Sequence, residues 1–458
     1  MKQTWSLKEK YRQLRDVMLP IFVTQVALFA IALFAAIMSG HAGADDLAGV
    51  AIGANIWMAV FTGLNGILIA LVPIIAQLLG AREKGSISFK IIQGVYLALA
   101  VSALVLLVGY FAVPALLDRM ALQPEVRRIA QAFLGAIAYG VAPLFLSTIF
   151  RSFVDTLGYT KITMRISLAA LPLNLLLNYL LVFGKCGMPR LGGVGAGYAS
   201  VITYWFILLM FVWVVQRLEP FRSYGVLQRF YRLDAKIWRE ITRIGIPIGI
   251  AIFCETSIFA AIALLMSRFN TLTIAAHQAA INFASLIYML PLSVAMALTI
   301  AVGFETGAGR FRDAKQYAYL GLGLSVFVGG ICAVLLVFYG NHIARIYSED
   351  PAVIELTGRF LLYAAFFQLS DAVATPVQGI LRGYKDVNVT FLVTIAAYWF
   401  VGLPLGHYLA LQPAYGAYGY WLGVIIGLAL GALCLLGRLL LVQQRQRLLK
   451  EEERGAQG

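Results

Sequence analysis

The sequence predicts an all-α polytopic membrane protein, with twelve transmembrane helices in two six-helix lobes related by a pseudo-twofold axis along the membrane normal. Three observations predict it. The 458 residues are 61% hydrophobic and only 13% charged, with a strongly positive mean hydropathy, whereas a soluble domain is about a quarter charged. Charge-poor apolar runs of bilayer length recur twelve times. The second half of the chain repeats landmarks of the first.

The runs lie at about 17–40, 48–79, 91–116, 129–150, 163–184, 195–216, 244–267, 275–303, 315–339, 357–381, 389–411 and 417–441. Each is long enough, at about 1.5 Å per residue, to cross a hydrocarbon core of about 30 Å. Pro73, Pro172, Pro247, Pro291, Pro376 and Pro404 lie inside these runs. Each removes a backbone donor there and marks a bending point.

Orientation follows from the basic residues of the short loops. Lys2, Lys8, Lys10, Arg12 and Arg15, the Arg82/Lys84 loop and the Arg310/Arg312/Lys315 loop are basic. So is the central segment from Arg217 to Arg243, while Asp45, Asp46, Glu349, Asp350 and Glu355 lie in the opposite loops. Both termini are therefore expected in the cytoplasm. This bias explains the net charge of +14 without nucleic acid, and it favours anionic lipid headgroups. The first apolar run is too long for a cleavable signal. Cys186, Cys254, Cys332 and Cys434 have neither metal nor disulfide spacing and read as packing residues.

The repeat is read from an ordered series of matches. A shift of 227 residues aligns Pro20 with Pro247, Asn55 with Asn282 and Gly80-Ala81 with Gly307-Ala308. Shifts of 225 and 221 align Gly158-Tyr159 with Gly383-Tyr384 and Gly195-Ala196 with Gly416-Ala417. Six spans per unit give both halves the same orientation, with a cavity expected between them. The implied organisation is an N-terminal lobe at 1–216, a basic cytoplasmic linker at 217–243, a C-terminal lobe at 244–442 and a polar cytoplasmic tail at 443–458.

The chemistry is lopsided. Glu255 sits within IGIPIGIAIFCETSIFAAIALLMS, flanked by Arg243 and Arg268, and Asp371 lies between Arg359 and Arg382. Each acid is roughly 16–20 Å along a helix from those charged ends, near the bilayer midplane. An acid there costs about 2.5–3.5 kcal/mol on insertion scales, so such residues mark ion or proton pathways. A protonated acid bonded to a neighbouring helix is the structural alternative. No span interior of the first half holds an acid. Asp155 stands beside Arg151 at a helix end and reads as structural, paired with Arg151 or Lys161.

Intramembrane amides are the second signal: Gln25, the pair Asn174/Asn178, and the pair Gln278/Asn282, each pair sharing a face at four-residue spacing. They read either as hydrogen-bonding glue between helices or as the lining of a wet cavity. His277 reads as structural, with proton handling as the alternative. Trp57, Tyr288, Tyr363 and Phe367 are able to stack on organic cations, although most aromatics simply pack. There is no GxxxxGK[ST] loop, so no ATP site. LGGVGAGYAS leads into an apolar run and reads as small residues for close helix packing. No metal-enzyme cluster or paired nucleophile argues for an enzyme.

Together, AAHQAAINFASLIYMLPLSVAMALTIAVGFETGAGR, LPLNLLLNYLLVFGKCGMPRLGGVGAGYAS and IMSGHAGADDLAGVAIG resemble the multidrug and toxic compound extrusion (MATE) family, in its NorM-like branch, over essentially the whole chain. The resemblance implies a secondary antiporter of the inner membrane. It would export bulky, often cationic organic compounds in exchange for Na+ or H+, without cofactor or ATP, and functional as a monomer. It implies that Glu255 and Asp371 form a cation site in the C-terminal lobe, with Na+ as a possible ligand. In the N-terminal lobe it implies a partnership between an Asp of the first span and Asn residues of the fifth, matched by Asn174 and Asn178. Here LFAAIMSG puts Ala35 at that acidic position. The chain either couples through the C-terminal lobe alone or carries an Asp-to-Ala replacement. Substrate contacts are expected at Gln25, Asn55, Gln278, Asn282, Tyr288, Tyr363 and Phe367. The sequence leaves Na+ and H+ open, with two convergent acids pointing towards Na+. A lipid-linked oligosaccharide flippase of the same superfamily would need a strongly cationic cavity, whereas Arg and Lys here are confined to span ends and loops. A passive channel or membrane scaffold is the reading from a different class.

Overall fold

The computed structural model describes residues 1–229 and 231–457, with side chains as far as Leu448. Most of the tail expected at 443–458 therefore lies outside the described side chains. Among the described residues every regular element is helical: α1 (Leu7–Ala42), α2 (Ala44–Ile69), α3 (Leu71–Gly80), α4 (Lys84–Arg119), α5 (Pro124–Ala138), α6 (Val141–Thr156), α7 (Thr160–Phe183), α8 (Gly193–Arg217), α9 (Ala235–Met266), α10 (Thr271–Gly307), α11 (Phe311–Ala344), α12 (Pro351–Gly383), α13 (Asn388–Ile395), α14 (Leu403–Ala410) and α15 (Tyr418–Gln457). A 3-10 turn at Arg222–Tyr224 lies in the basic segment, and a π-helical stretch, Ala396–Gly402, joins α13 to α14.

Among the described residues eleven stretches are long and apolar enough to cross a membrane, and α5 with α6, bent by 48°, makes a twelfth when the pair is taken as one span. These are the twelve expected runs. Two further breaks have a proline behind them. Pro73 cannot donate to the carbonyl of Ile69, and α2 ends at that residue. Pro404 likewise cannot donate to Phe400, which lies in the π-helical stretch.

The chain divides into two compact units. One comprises Val23–Ile75 and Glu83–Gly249. Within it α2 packs on α5, α4 on α6, and α7 on α8. Gly195 makes the last contact possible: a Cβ there would stand 2.6 Å from the Leu181 carbonyl oxygen. The Gly-rich LGGVGAGYAS segment is thus a close-packing surface, as expected. The Arg151–Asp155 pair is also present at 3.3 Å, and Thr163 donates to the same carboxylate at 2.5 Å.

The other unit comprises Met1–Phe22, Ala76–Arg82 and Ile250–Gly458. Its central helix is α12, against which α10, α11 and α15 pack. Two-thirds of the apolar window of α12 (67%) is buried, compared with 22% for α11, whose outer face is left for lipid. Lipid tails are as apolar as leucine, so close packing and interhelical hydrogen bonds must hold such helices together. Both occur at Gly379. A Cβ there would overlap the Ala295 carbonyl of α10, and Thr299 donates to the Gly379 carbonyl at 2.9 Å. At the start of the chain, fully buried Lys10 pairs with Asp313 at 2.8 Å, and the Thr4 and Tyr317 hydroxyls bond at 3.0 Å.

Candidate functional site

Four elements of the second unit converge on Glu255 and Asp371. Helix α9 carries Glu255, α10 carries Tyr288, α12 carries Asp371, and the π-helical stretch carries Tyr398 and Trp399. Along α12, Asp371, Thr375, Gln378 and Arg382 follow one another at intervals of four, three and four residues, which puts them on one face. Asp371, Thr375 and Gln378 are 2%, 8% and 4% exposed, so this face is an interior polar stripe.

Thr375 Oγ1 donates to Asp371 Oδ1 at 2.6 Å. Gln378 Nε2 donates to Glu255 Oε1 at 2.6 Å, while Arg382 Nη2 donates to Gln378 Oε1 at 3.2 Å. Each acid therefore has one oxygen held by α12. Asp371 Oδ2 is buried without a hydrogen-bond partner. The two carboxylates also feel each other electrostatically, and both act on the Tyr288 and Tyr398 hydroxyls. Trp399 Nε1 anchors the neighbouring backbone by donating to the Cys254 carbonyl at 3.2 Å.

A buried carboxylate oxygen without a donor, on an acid within electrostatic range of a second, is costly unless a proton or cation joins it. The donor set is hard oxygen: two carboxylates with nearby hydroxyls. That suits a weakly held monovalent cation or a proton, and among the described residues no cluster has the three ligands a transition metal would want.

In the first unit, Asn174 and Asn178 are both fully buried on α7. Asn178 Nδ2 donates to Asn174 Oδ1 at 2.8 Å and to its carbonyl at 2.9 Å. Asn174 Nδ2 donates to Thr203 Oγ1 at 3.0 Å. Asn178 Oδ1 is buried and unpartnered. Ala35, half-buried on α1, brings no polar side chain, and its carbonyl accepts from Ser39 Oγ at 2.8 Å.

The remaining predicted residues divide between bonded and exposed positions. Gln25 Oε1 accepts from Arg151 Nη2 at 2.9 Å, so it belongs to the Arg151–Asp155 network. Gln278 is exposed and donates to Asn282 at 3.3 Å. Asn55 is exposed. Tyr363 stacks on Tyr418 at 5.1 Å, and buried Phe367 meets Phe259 edge-on at 5.7 Å. His277 is buried against Phe360 and Trp421, and its Nδ1 accepts from Trp421 Nε1 at 3.2 Å, a packing role. Thr375, Gln378, Tyr398 and Thr203 carry no role in the sequence reading, where Arg382 is only a charge flanking Asp371. The α12 stripe had a signal in its spacing; Tyr398 and Thr203 had none.

The MatE family model matches residues 20–180 and again 247–408. The two matches begin 227 residues apart, at Pro20 and Pro247, which is the offset of the repeat. Curated relatives include the probable multidrug resistance protein NorM of Bacillus anthracis, 53% identical over 445 residues covering 97% of this chain and 98% of that protein. The protein of the same name from Bacillus subtilis (strain 168) is 51% identical over the same shares. Among solved structures, a multidrug resistance MATE family transporter of the MOP superfamily, in an outward-facing conformation, superposes with a TM-score of 0.87 at 16% identity, covering 98% of this chain and 100% of that one. A eukaryotic MATE transporter gives 0.85 at 19% identity, over 97% and 99%. The fold is therefore that of the MATE transporters, and the chain belongs to the MatE family.

Proposed function

We propose that this protein is a secondary active multidrug antiporter of the cytoplasmic membrane. It exports organic, often cationic compounds in exchange for Na+ or H+ by alternating access of two lobes, 1–216 and 244–442, joined by the basic segment 217–243. Both termini are cytoplasmic, one chain suffices, and neither ATP nor a cofactor takes part. The observation that carries the reading is the paired intramembrane acids, within electrostatic range of each other, with Asp371 Oδ2 left without a donor. The relatives named for multidrug resistance supply the substrate class.

The cation enters from outside and joins Glu255 and Asp371. It neutralises their mutual repulsion and changes how α9, α10 and α12 pack. Thr375 and Gln378 each hold one carboxylate oxygen, and Asp371 Oδ2 is left for the ion. The changed packing weakens the hold on the organic substrate, which leaves outward, and the neutralised acids permit the return. One charge crossing 100 mV supplies about 2.3 kcal/mol, enough to bias such a cycle. Asn55, Gln278, Asn282, Tyr288, Tyr363 and Phe367 are the substrate contacts in this reading, and Gln25 acts through Arg151.

Everted vesicles loaded by imposed Na+ or pH gradients test it, with ethidium as the organic cation. Uptake driven by one gradient, and abolished in both Glu255→Gln and Asp371→Asn, is the expected result and identifies the ion. Wild-type uptake by both variants would refute the site.

A further inference from the structure

We propose that Arg382 sets the affinity of the Glu255/Asp371 site for its coupling cation, acting as a built-in counter-charge that also fixes which end of Gln378 faces Glu255. The inference rests on the cation-site reading above and extends it to a residue that touches neither acid directly.

A guanidinium has donors and no acceptor. Arg382 Nη2 lies 3.2 Å from Gln378 Oε1, one helical turn along α12, so the amide oxygen is committed to Arg382. The other end of the amide, Nε2, is then the only one available to Glu255, and it donates to Oε1 at 2.6 Å. Without Arg382 the amide is free to turn and offer its oxygen to a cation instead. Arg382 thus withholds one oxygen ligand and opposes the incoming positive charge through its own field on Glu255. The other titratable groups facing Glu255 are Asp371 on α12, Tyr288 on α10, Tyr398 on the π-helical stretch and Cys254 on its own helix. With both acids ionised, the two carboxylates and one guanidinium leave a net charge of minus one. One monovalent cation neutralises that; without Arg382 two would be needed.

The test compares Arg382→Met, Arg382→Gln and Arg382→Lys in the full chain. The half-saturating concentration of the driving cation, Na+ or H+, is read from ethidium transport in vesicles. Direct cation titration of tryptophan fluorescence in detergent gives a second reading, with Trp399→Phe identifying the reporter. Both neutral variants should bind the cation about ten-fold more tightly, the scale of one like charge removed at an effective dielectric of about 20. Their maximal rate should hold or fall, and their cation dependence should become steeper than wild type. Lysine should restore wild-type affinity in part. In Arg382→Met/Gln378→Leu the gain should shrink, because the freed amide oxygen is gone. Wild-type affinity in both neutral variants, or an undiminished gain in the double variant, would overturn the proposal. If Glu255→Gln and Asp371→Asn titrate like wild type, the site reading itself fails. If those two lose the response while Arg382→Met stays at wild-type affinity, only the role of Arg382 fails.

Discussion

Each unit of this protein buries, within its expected polar site, a side-chain oxygen without a hydrogen-bond partner, and the two oxygens differ in kind. In the first unit it is the amide Oδ1 of Asn178; in the second it is the carboxylate Oδ2 of Asp371. A neutral amide oxygen left bare costs on the order of 1–3 kcal/mol, which a stable membrane protein can carry. A bare carboxylate oxygen on an acid within electrostatic range of a second costs more, and binding a cation relieves it. The halves thus repeat their helices and glycines but not their electrostatics. In the function proposed above, the packing is common to both copies, while cation binding belongs to one.

The largest effect that would sharpen this comparison comes from removing the polar group on each side. Asp371→Leu should reduce cation-driven ethidium transport to background, whereas Asn174→Leu should keep most of it. Equal loss in both would break the asymmetry. Packing should respond equally in the two units. Gly379→Ala and Gly195→Ala each push a methyl into a neighbouring helix backbone, and each should cost about 1–3 kcal/mol of stability. Thermal unfolding in detergent checks this, and a tolerant Gly195 would show that α7 and α8 are less tightly joined than α10 and α12.

Ala35→Asp tests whether the first unit can regain a charge. A carboxylate there should change the cation or pH dependence of transport several-fold at little cost in expression; unchanged export and pH response would remove Ala35 from the coupling argument. The smallest effect is expected for Asn178→Leu. It deletes both the bare oxygen and the 2.8 Å bond to Asn174, two terms of opposite sign and each about 1 kcal/mol. Its melting temperature should stay near wild type, and a large drop would assign Asn178 a partner of its own.

Much of the site was legible because the membrane makes polar groups conspicuous. An acid amid two dozen apolar residues cannot be a solvated surface group, so Glu255 and Asp371 stood out without any structure. The α12 stripe was equally visible in spacing, since 371, 375, 378 and 382 share a helical face, but spacing does not say what the face meets. Gln25 shows the limit. It read as an intramembrane amide able to line a cavity, yet its partner is Arg151, 126 residues away. Tyr398 was beyond reach because its direction depends on the π-helical stretch that Pro404 permits.

The sequence alone determined the twelve spans, the duplication, the two costly acids and the absence of a third at Ala35. Those are one-dimensional properties: hydropathy, periodicity and the identity of residues at fixed offsets. Tertiary structure decided which hydroxyl, amide and guanidinium stand beside each acid, and which carboxylate oxygen is left bare. Hydrogen bonds and charge pairs depend on distances of a few ångström between helices far apart in the chain, and only packing sets those distances.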